Sequence, residues 1–277
     1  MTISRLWTYS AAVVDHTGMA MLGARLAISA CVLLAAPAPL SVRAIPAPAQ
    51  TAAGPAASCV LPRPPDTLWA LAQCCESSLT SDVGCRVHDQ KNGYVVIKDN
   101  SARKPRSYMI IPTSRVTGIE DGLVDRPPVV DFWQYGWAQS RTWPGYSAAD
   151  TGMAINSEQG RTQNQLHIHI SCVRPDVKKA LDQAAIGFFP ARPVTLRLPP
   201  HDNLYRALKV TRLDGEQSPF LVFQSDPKVK ETMGEQSIAV VGSAIAGQYY
   251  VLDTQSGDGN RGHAEELLEQ TCQSWAK

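Results

Sequence analysis

Residues 166–170 read LHIHI, and no other stretch of this sequence restricts the fold as strongly. In an extended strand successive side chains point to opposite faces, so His167 and His169 share one face and the apolar residues occupy the other. The two imidazoles are then about 6.5 Å apart at their roots. The segment 156–164 before them is polar and contains Gly160. The pattern predicts a strand with one apolar face and one chemically active face, next to a polar loop.

A pair of histidines on one strand has three interpretations. The first is a half-buried strand with solvent-facing histidines, and the second is a metal site. The third is a nucleophilic site in which an imidazole attacks phosphorus and holds it as a phosphoramidate. The sequence offers three candidates for the third ligand that a metal needs: Asp176, His201 and His263. A nucleophilic site favours His167, because Gln165 and His169 flank it on the same face as hydrogen-bond donors.

Composition places the chain among ordinary globular proteins, since 44% of its 277 residues are hydrophobic and 18% are charged. The net charge of +1 gives no sign of a nucleic-acid partner, so any recognition of anions must be local.

Residues 1–44 have the layout of a signal or membrane-anchor segment, with an apolar run at 26–36 followed by small residues and prolines. The run is shorter than the roughly 20 residues of a transmembrane helix, which favours a signal segment. Residues 45–65 are rich in Ala and Pro and read as a linker. We therefore expect an exported protein.

Six of the seven cysteines follow the N-terminal segment: Cys59, Cys74, Cys75, Cys85, Cys172 and Cys272. An even number in an exported chain suits disulfides, and the candidate disulfide cysteines are Cys75, Cys85, Cys172 and Cys272. Their pairing stays open at this point. No CxxC pair is present, which disfavours a structural zinc site.

The remaining pattern predicts an α+β fold. We expect a helix at 66–78, a hairpin of 94–98 with 108–111, an aromatic helix at 131–141, paired strands at 152–156 and 165–172, and a helix at 177–184. After a Pro-rich passage, 188–200, come strands at 205–210 and 220–223, a helix at 226–233, a hairpin of 238–243 with 249–253, and a helix at 263–275.

Two strands, a helix and two strands thus occur twice, which suggests a pseudo-duplicated unit; a chance repeat of a common order carries comparable weight. The predicted divisions are a Cys-containing helical segment, 66–92, a half that carries the site, 93–187, and a second, degenerate half with the C-terminal helix, 188–277.

Four segments carry a resemblance to a known family: GYVVIKD from Gly93, YMIIPTSRVTGIE from Tyr108, AINSEQGRTQNQLHIHISCVRPDV from Ala154, and SPF from Ser218. The third resembles the histidine triad (HIT) family, whose mark is three histidines alternating with apolar residues. Together the segments are similar to the bacterial CDP-diacylglycerol pyrophosphatases of that superfamily. Gln165 is a departure, since it stands where the first histidine of the triad is expected.

The resemblance implies a HIT-like antiparallel sheet with helices and hydrolysis of CDP-diacylglycerol to CMP and phosphatidate, without a cofactor. It makes His167 the catalytic nucleophile that forms a covalent nucleotidyl intermediate. The residues expected to bind the transferred phosphate are Gln165, His169, Thr162 and Asn156. Contacts with the second phosphate or the nucleotide are expected from Lys98, Arg115, Arg161 and Arg174.

The resemblance also implies membrane association, at the inner membrane or in the periplasm. Two alternatives remain beside it. One is a metal-dependent phosphoanhydride hydrolase that uses His167 and His169, and the other is a catalytically weakened binder of nucleotide lipids.

Overall fold

A single antiparallel sheet of ten strands organises the computed structural model, which describes residues 59–77, 84–99 and 101–273. The strands are β1 (Cys85–Asp89), β2 (Tyr94–Lys98), β3 (Tyr108–Pro112), β4 (Thr151–Ile155), β5 (Ile168–Val173), β6 (Val194–Leu198), β7 (Asn203–Val210), β8 (Gln236–Gly242), β9 (Tyr249–Gln255) and β10 (Leu268–Glu269). Their order is β1-β2-β3-β5-β4-β8-β9-β7-β6, and β10 pairs with β5. The predicted α+β class is confirmed.

In the described ranges, four α-helices accompany the sheet: α1 (Thr67–Ser77), α2 (Phe132–Ser140), α3 (Pro175–Gln183) and α4 (Pro227–Glu231). Proline begins both α3 and α4, where a missing backbone N–H costs nothing and the fixed φ suits a helix. α2 confirms the predicted aromatic helix, since the side chains of Phe132 and Trp133 are fully buried.

The two faces of the sheet pack against different elements. On one face, Trp133 of α2 packs in a core cluster with Ile168 and Ile170 of β5. On the other, Val177 of α3 belongs to a second cluster that includes Ala154 of β4. All residues of β5 are buried, and His169 lies opposite Ala154 in register. Because directly paired residues share a face, His169 lies on the α3 side of the sheet.

The two halves of the sheet have the same strand order. It is β2-β3-β5-β4 in the first half and β6-β7-β9-β8 in the second, and antiparallel pairing of β4 with β8 joins them. In each half a helix separates the first strand pair from the second along the chain. This order is what a duplicated unit produces, and the duplication stays a prediction.

Two predicted elements are wrong. Residues 220–223 form turns instead of a strand, because Phe220 and Phe223 are buried in the core under α2, with Phe220 5.4 Å from the ring of Trp133. The predicted helix 263–275 is replaced by a short 3-10 helix, Ala264–Leu267, and then by β10. Besides β10, the sequence pattern does not predict β1 and β6, and β6 lies in the Pro-rich passage.

Three disulfides connect the described residues: Cys59–Cys74, Cys75–Cys85 and Cys172–Cys272. They confirm the four candidate cysteines and add a third bond. Residues 59–65, the last part of the predicted linker, contact the folded domain. Cys59 is bonded to Cys74 of α1, and Pro65 O accepts a hydrogen bond of 2.8 Å from Asn164 N.

The predicted signal or anchor segment, 1–44, lies outside the described residues. Within the described ranges, no helix has the length and apolar character needed to cross a membrane.

Candidate active site

The paired histidines lie in a cleft of about 690 Å³. Its walls are the start of α1, the polar loop 156–164, the start of β5 and a C-terminal segment, 263–270. The loop and the C-terminal segment approach closely at Gly160, where a Cβ atom would lie only 2.5 Å from the carbonyl oxygen of Gly262. Glycine is therefore required there for this wall of the cleft to close.

His167 stands directly before β5 with one ring nitrogen committed to the backbone. Its Nδ1 lies 2.8 Å from the carbonyl oxygen of Gln165, and because a carbonyl only accepts, Nδ1 must carry the hydrogen. Nε2 then holds a lone pair, and among the described residues it has no hydrogen-bond partner. Burial lowers the pKa of His167, so the ring is neutral near pH 7. The arrangement presents an unprotonated nitrogen at the cleft.

His169 is the second ring of the pair, with its centroid 4.8 Å from that of His167. Its Nε2 is 3.3 Å from Oε2 of Glu265. Burial lowers the pKa of His169 to about 3, although Glu265 acts in the opposite direction. A neutral His169 that donates from Nε2 to this carboxylate has its remaining lone pair on Nδ1, which has no partner in the described part of the chain.

Glu265 is a buried carboxylate that connects the walls of the cleft. Lys104 Nζ lies 2.8 Å from Oε1 and His263 Nε2 lies 3.5 Å from Oε2, and the side-chain amide of Gln270 also donates to Oε1. Burial acts to raise the pKa of Glu265, but His169, His263 and Lys104 outweigh it and hold the pKa well below its usual range. Glu265 is therefore ionised, and it lines the cleft together with His169, His263 and Lys104.

A family model described as CDP-diacylglycerol pyrophosphatase matches residues 63–276, which include all of these side chains. The chain belongs to the CDP-diacylglycerol pyrophosphatase family. The match confirms the family predicted from the four segments.

Solved structures resemble this pyrophosphatase-family chain only distantly. Yeast Ap4A phosphorylase Apa2 in complex with Ap4A is 9% identical with a TM-score of 0.43, over 65% of this chain and 62% of its own. A DUF4931 family protein from Bacillus cereus is 9% identical with a TM-score of 0.39, over 61% of this chain and 85% of its own. The chain thus spans less than two thirds of the phosphorylase. Likeness at this level says nothing about the site.

Three more predicted site residues of this pyrophosphatase-family member line the cleft: Asn156, Arg161 and Thr162. The side chain of Asn156 makes two hydrogen bonds with Glu265. Its Oδ1 accepts from the Glu265 backbone N–H at 3.1 Å, and its Nδ2 donates to Glu265 Oε2 at 3.4 Å. Asn156 therefore fixes Glu265 in place. Arg161 is already paired, with both ends of its guanidinium 2.6 Å from the carboxylate of Glu120.

The side chain of Gln165 does not line the cleft, contrary to the predicted contact with phosphate. Its amide donates to the carbonyl oxygens of Pro112 at 3.1 Å and Ser114 at 2.9 Å, and its oxygen accepts from Val116 N. It is fully buried. The contribution of this position to the site is the backbone carbonyl that orients His167.

The other three predicted cations also lie outside the cleft. Lys98 Nζ donates to the carbonyl oxygen of Asp99. Arg115 pairs with Asp66 at 2.5 Å, and Arg174 pairs with Asp176 at 2.8 Å. These three residues therefore do not make the predicted contacts with the second phosphate in this cleft. Sequence reasoning missed the roles of Lys104, Gln163 and Glu265, because an isolated polar residue belongs to no repeating pattern in the sequence.

His201 and His263 line the cleft, but Asp176 does not. Within the described ranges, no group of three or more His, Cys, Asp or Glu side chains is arranged to hold a metal ion.

Proposed function

We propose that this chain hydrolyses the pyrophosphate of CDP-diacylglycerol to CMP and phosphatidate through a covalent nucleotidyl intermediate on Nε2 of His167. The observation that carries the proposal is the 2.8 Å contact between His167 Nδ1 and the carbonyl oxygen of Gln165. It fixes the tautomer with a free lone pair on Nε2, which is the form that an imidazole nucleophile requires.

In the first step, the Nε2 lone pair forms a bond to the phosphorus that carries cytidine. The bond from this phosphorus to the bridging oxygen breaks, and phosphatidate leaves with the electron pair. A phosphate is a stable leaving group, so no strong acid is needed. The imidazole gains positive charge as it attacks, and the hydrogen bond from Nδ1 to Gln165 O strengthens with that charge.

The nonbridging oxygens of the transferred phosphoryl group need hydrogen-bond donors during both steps. We assign this role to the Thr162 hydroxyl and the Gln163 amide, which line the same cleft as His167. The Gln163 oxygen already accepts from Leu68 N at 3.2 Å, which leaves its amide hydrogens for the substrate.

In the second step, water attacks the phosphorus of the intermediate and the N–P bond breaks. The electron pair returns to Nε2, the proton of the water passes to solvent, and CMP is released. His167 is regenerated, so one water is consumed for each CMP and phosphatidate formed.

The experiment that tests the proposal is a rapid acid-free quench with CDP-diacylglycerol carrying radiolabel on the cytidine-linked phosphorus. We expect label on the protein that survives base and is lost in mild acid, as an N–P bond is. His167→Ala should abolish both label and turnover, whereas His88→Gln, on β1 and outside the cleft, should keep them. Full turnover by a folded His167→Ala protein would overturn the assignment.

The two alternatives have distinct outcomes in the same assay. A metal-dependent hydrolase loses activity to chelators and leaves no label on the protein. A binder retains CDP-diacylglycerol without releasing CMP during long incubation.

We further propose that the fold is HIT-like and that the chain works outside the cytoplasm. The strand order shared by both halves and the backbone contact of His167 support the first proposal. The three disulfides support the second, since they persist in oxidising compartments.

A further inference from the structure

A diphosphate substrate brings a second phosphate into the cleft, and its charge requires a cationic partner. Only two Lys or Arg side chains of the described residues line this cleft: Lys104 and Arg161. Arg161 is 6% exposed at its side chain and bidentate with Glu120, so its donors are largely used. Of the two cations, Lys104 is the one with N–H donors available for a ligand.

Among the described residues, Lys104 has one close side-chain partner, and its own side chain is partly exposed. Its Nζ is 2.8 Å from Glu265 and 4.0 Å from Asp99, and its side chain is 32% exposed. An ammonium group carries three N–H donors, and a single carboxylate contact leaves at least one of them for a ligand.

His263 lies on the other side of the same carboxylate. Its Nε2 is 3.5 Å from Oε2 of Glu265, and its side chain is 44% exposed at the cleft. His169, Lys104 and His263 thus all contact Glu265, and the ring of His169 is next to that of His167. A phosphate beside the attacked phosphorus therefore comes within reach of Lys104 and His263.

We infer that Lys104 and His263, held by Glu265, form the subsite for the second, lipid-bearing phosphate of the substrate. The inference rests on the proposed function. Glu265 is the positioning residue of this subsite, because its carboxylate orients the cation and the imidazole, and its own negative charge disfavours direct contact with phosphate.

The test compares CDP, which has both phosphates, with CMP, which has only the one that His167 attacks. Both are used as competitive inhibitors of the full-length chain. We expect Lys104→Gln to raise the inhibition constant of CDP about tenfold, as the loss of one charge-assisted contact does, and to change that of CMP less than twofold. A general disturbance of the cleft moves both constants together.

Three further variants complete the experiment. Lys104→Arg should keep CDP affinity within a few-fold, because it keeps the charge. His263→Gln should show the same selective loss of CDP affinity to a smaller extent. Arg103→Gln removes an exposed cation from the same loop and should change neither constant.

The failure of this subsite is distinguishable from the failure of the proposed function. If the wild-type chain binds neither nucleotide, the proposed function fails. If it binds both, and Lys104→Gln weakens them equally or not at all while thermal unfolding shows a folded protein, the subsite is wrong. Should Lys104→Gln not fold, equal effects of His263→Gln on CMP and CDP overturn the inference.

Discussion

The carboxylate of Glu265 lies 3.3 Å from Nε2 of His169, although His169 is in the middle of the sheet and Glu265 is near the C-terminal end of the described chain. The contact places a carboxylate beside the histidine pair. It also makes the C-terminal segment, 263–270, part of the cleft instead of a peripheral helix.

Replacing Glu265 with Gln should lower kcat on CDP-diacylglycerol by about tenfold or more, because His169 and Lys104 lose the anion that orients them. Steady-state kinetics at several pH values provide the measurement. The matched control is Glu266→Gln, whose carboxylate accepts instead from Tyr205 at 2.8 Å and Asn203 at 2.9 Å. Equal losses in both variants would show that only the local fold is affected.

Stability should fall steadily as the pH is lowered below about 6.5. Burial depresses the folded-state pKa of His167 and His169, so the unfolded chain takes up protons that the folded chain does not. Their stabilising effect is complete above the unfolded pKa and is lost as the pH falls toward the folded values. Each such histidine contributes a slope of about 1.4 kcal/mol per pH unit.

Urea unfolding between pH 7.5 and pH 5 measures this slope. His169→Gln should reduce the proton uptake on unfolding by nearly one proton. A slope that is the same in wild type and His169→Gln contradicts the assignment of a neutral, buried His169.

Removing the Cys172–Cys272 disulfide should destabilise the protein and reduce turnover together. The bond closes a separation of 100 residues, and disulfides typically contribute about 2–4 kcal/mol. It also holds the segment after β10 against β5. We expect the double Cys172→Ala and Cys272→Ala variant to show a lower Tm and a reduced kcat. The double Cys59→Ala and Cys74→Ala variant should keep a higher kcat, because its bond lies outside the C-terminal segment.

Gln165→His should destabilise the fold without improving catalysis. The buried amide of Gln165 makes three hydrogen bonds to backbone groups, and an imidazole cannot reproduce their geometry, so we expect a loss of about 1–3 kcal/mol. Gln183→His on the exposed side of α3 is the control. A large rise in kcat in the Gln165 variant would instead mean that a third histidine side chain reaches the substrate.

Local sequence patterns predicted those parts of the fold and the site that depend on residues close together in the chain. The alternation at 166–170 predicted the strand and the shared face of His167 and His169, and the aromatic spacing predicted α2. The cysteine count predicted disulfides, although not their pairing.

Long-range contacts explain what the sequence did not reveal. Residues 263–275 have a helical pattern, but β10 pairs with β5 and Cys272 adopts a left-handed φ of 54° where it bonds to Cys172. Glu265 therefore reaches His169 only in the folded chain. Similarly, Gln165 aligns with a triad histidine in sequence, yet its side chain satisfies backbone groups next to β3.

The segment that carries Glu265 is almost the last part of the described chain to be synthesised. A nascent polypeptide that already contains His167, His169 and the sheet strands β1–β9 still lacks the anion and the final sheet pairing of β10. Assembly of the cleft therefore requires that residues 263–272 have been synthesised and that Cys272 has reached Cys172. Under the proposed function, the protein reaches its full activity only after this segment has folded onto β5 and the Cys172–Cys272 bond has formed.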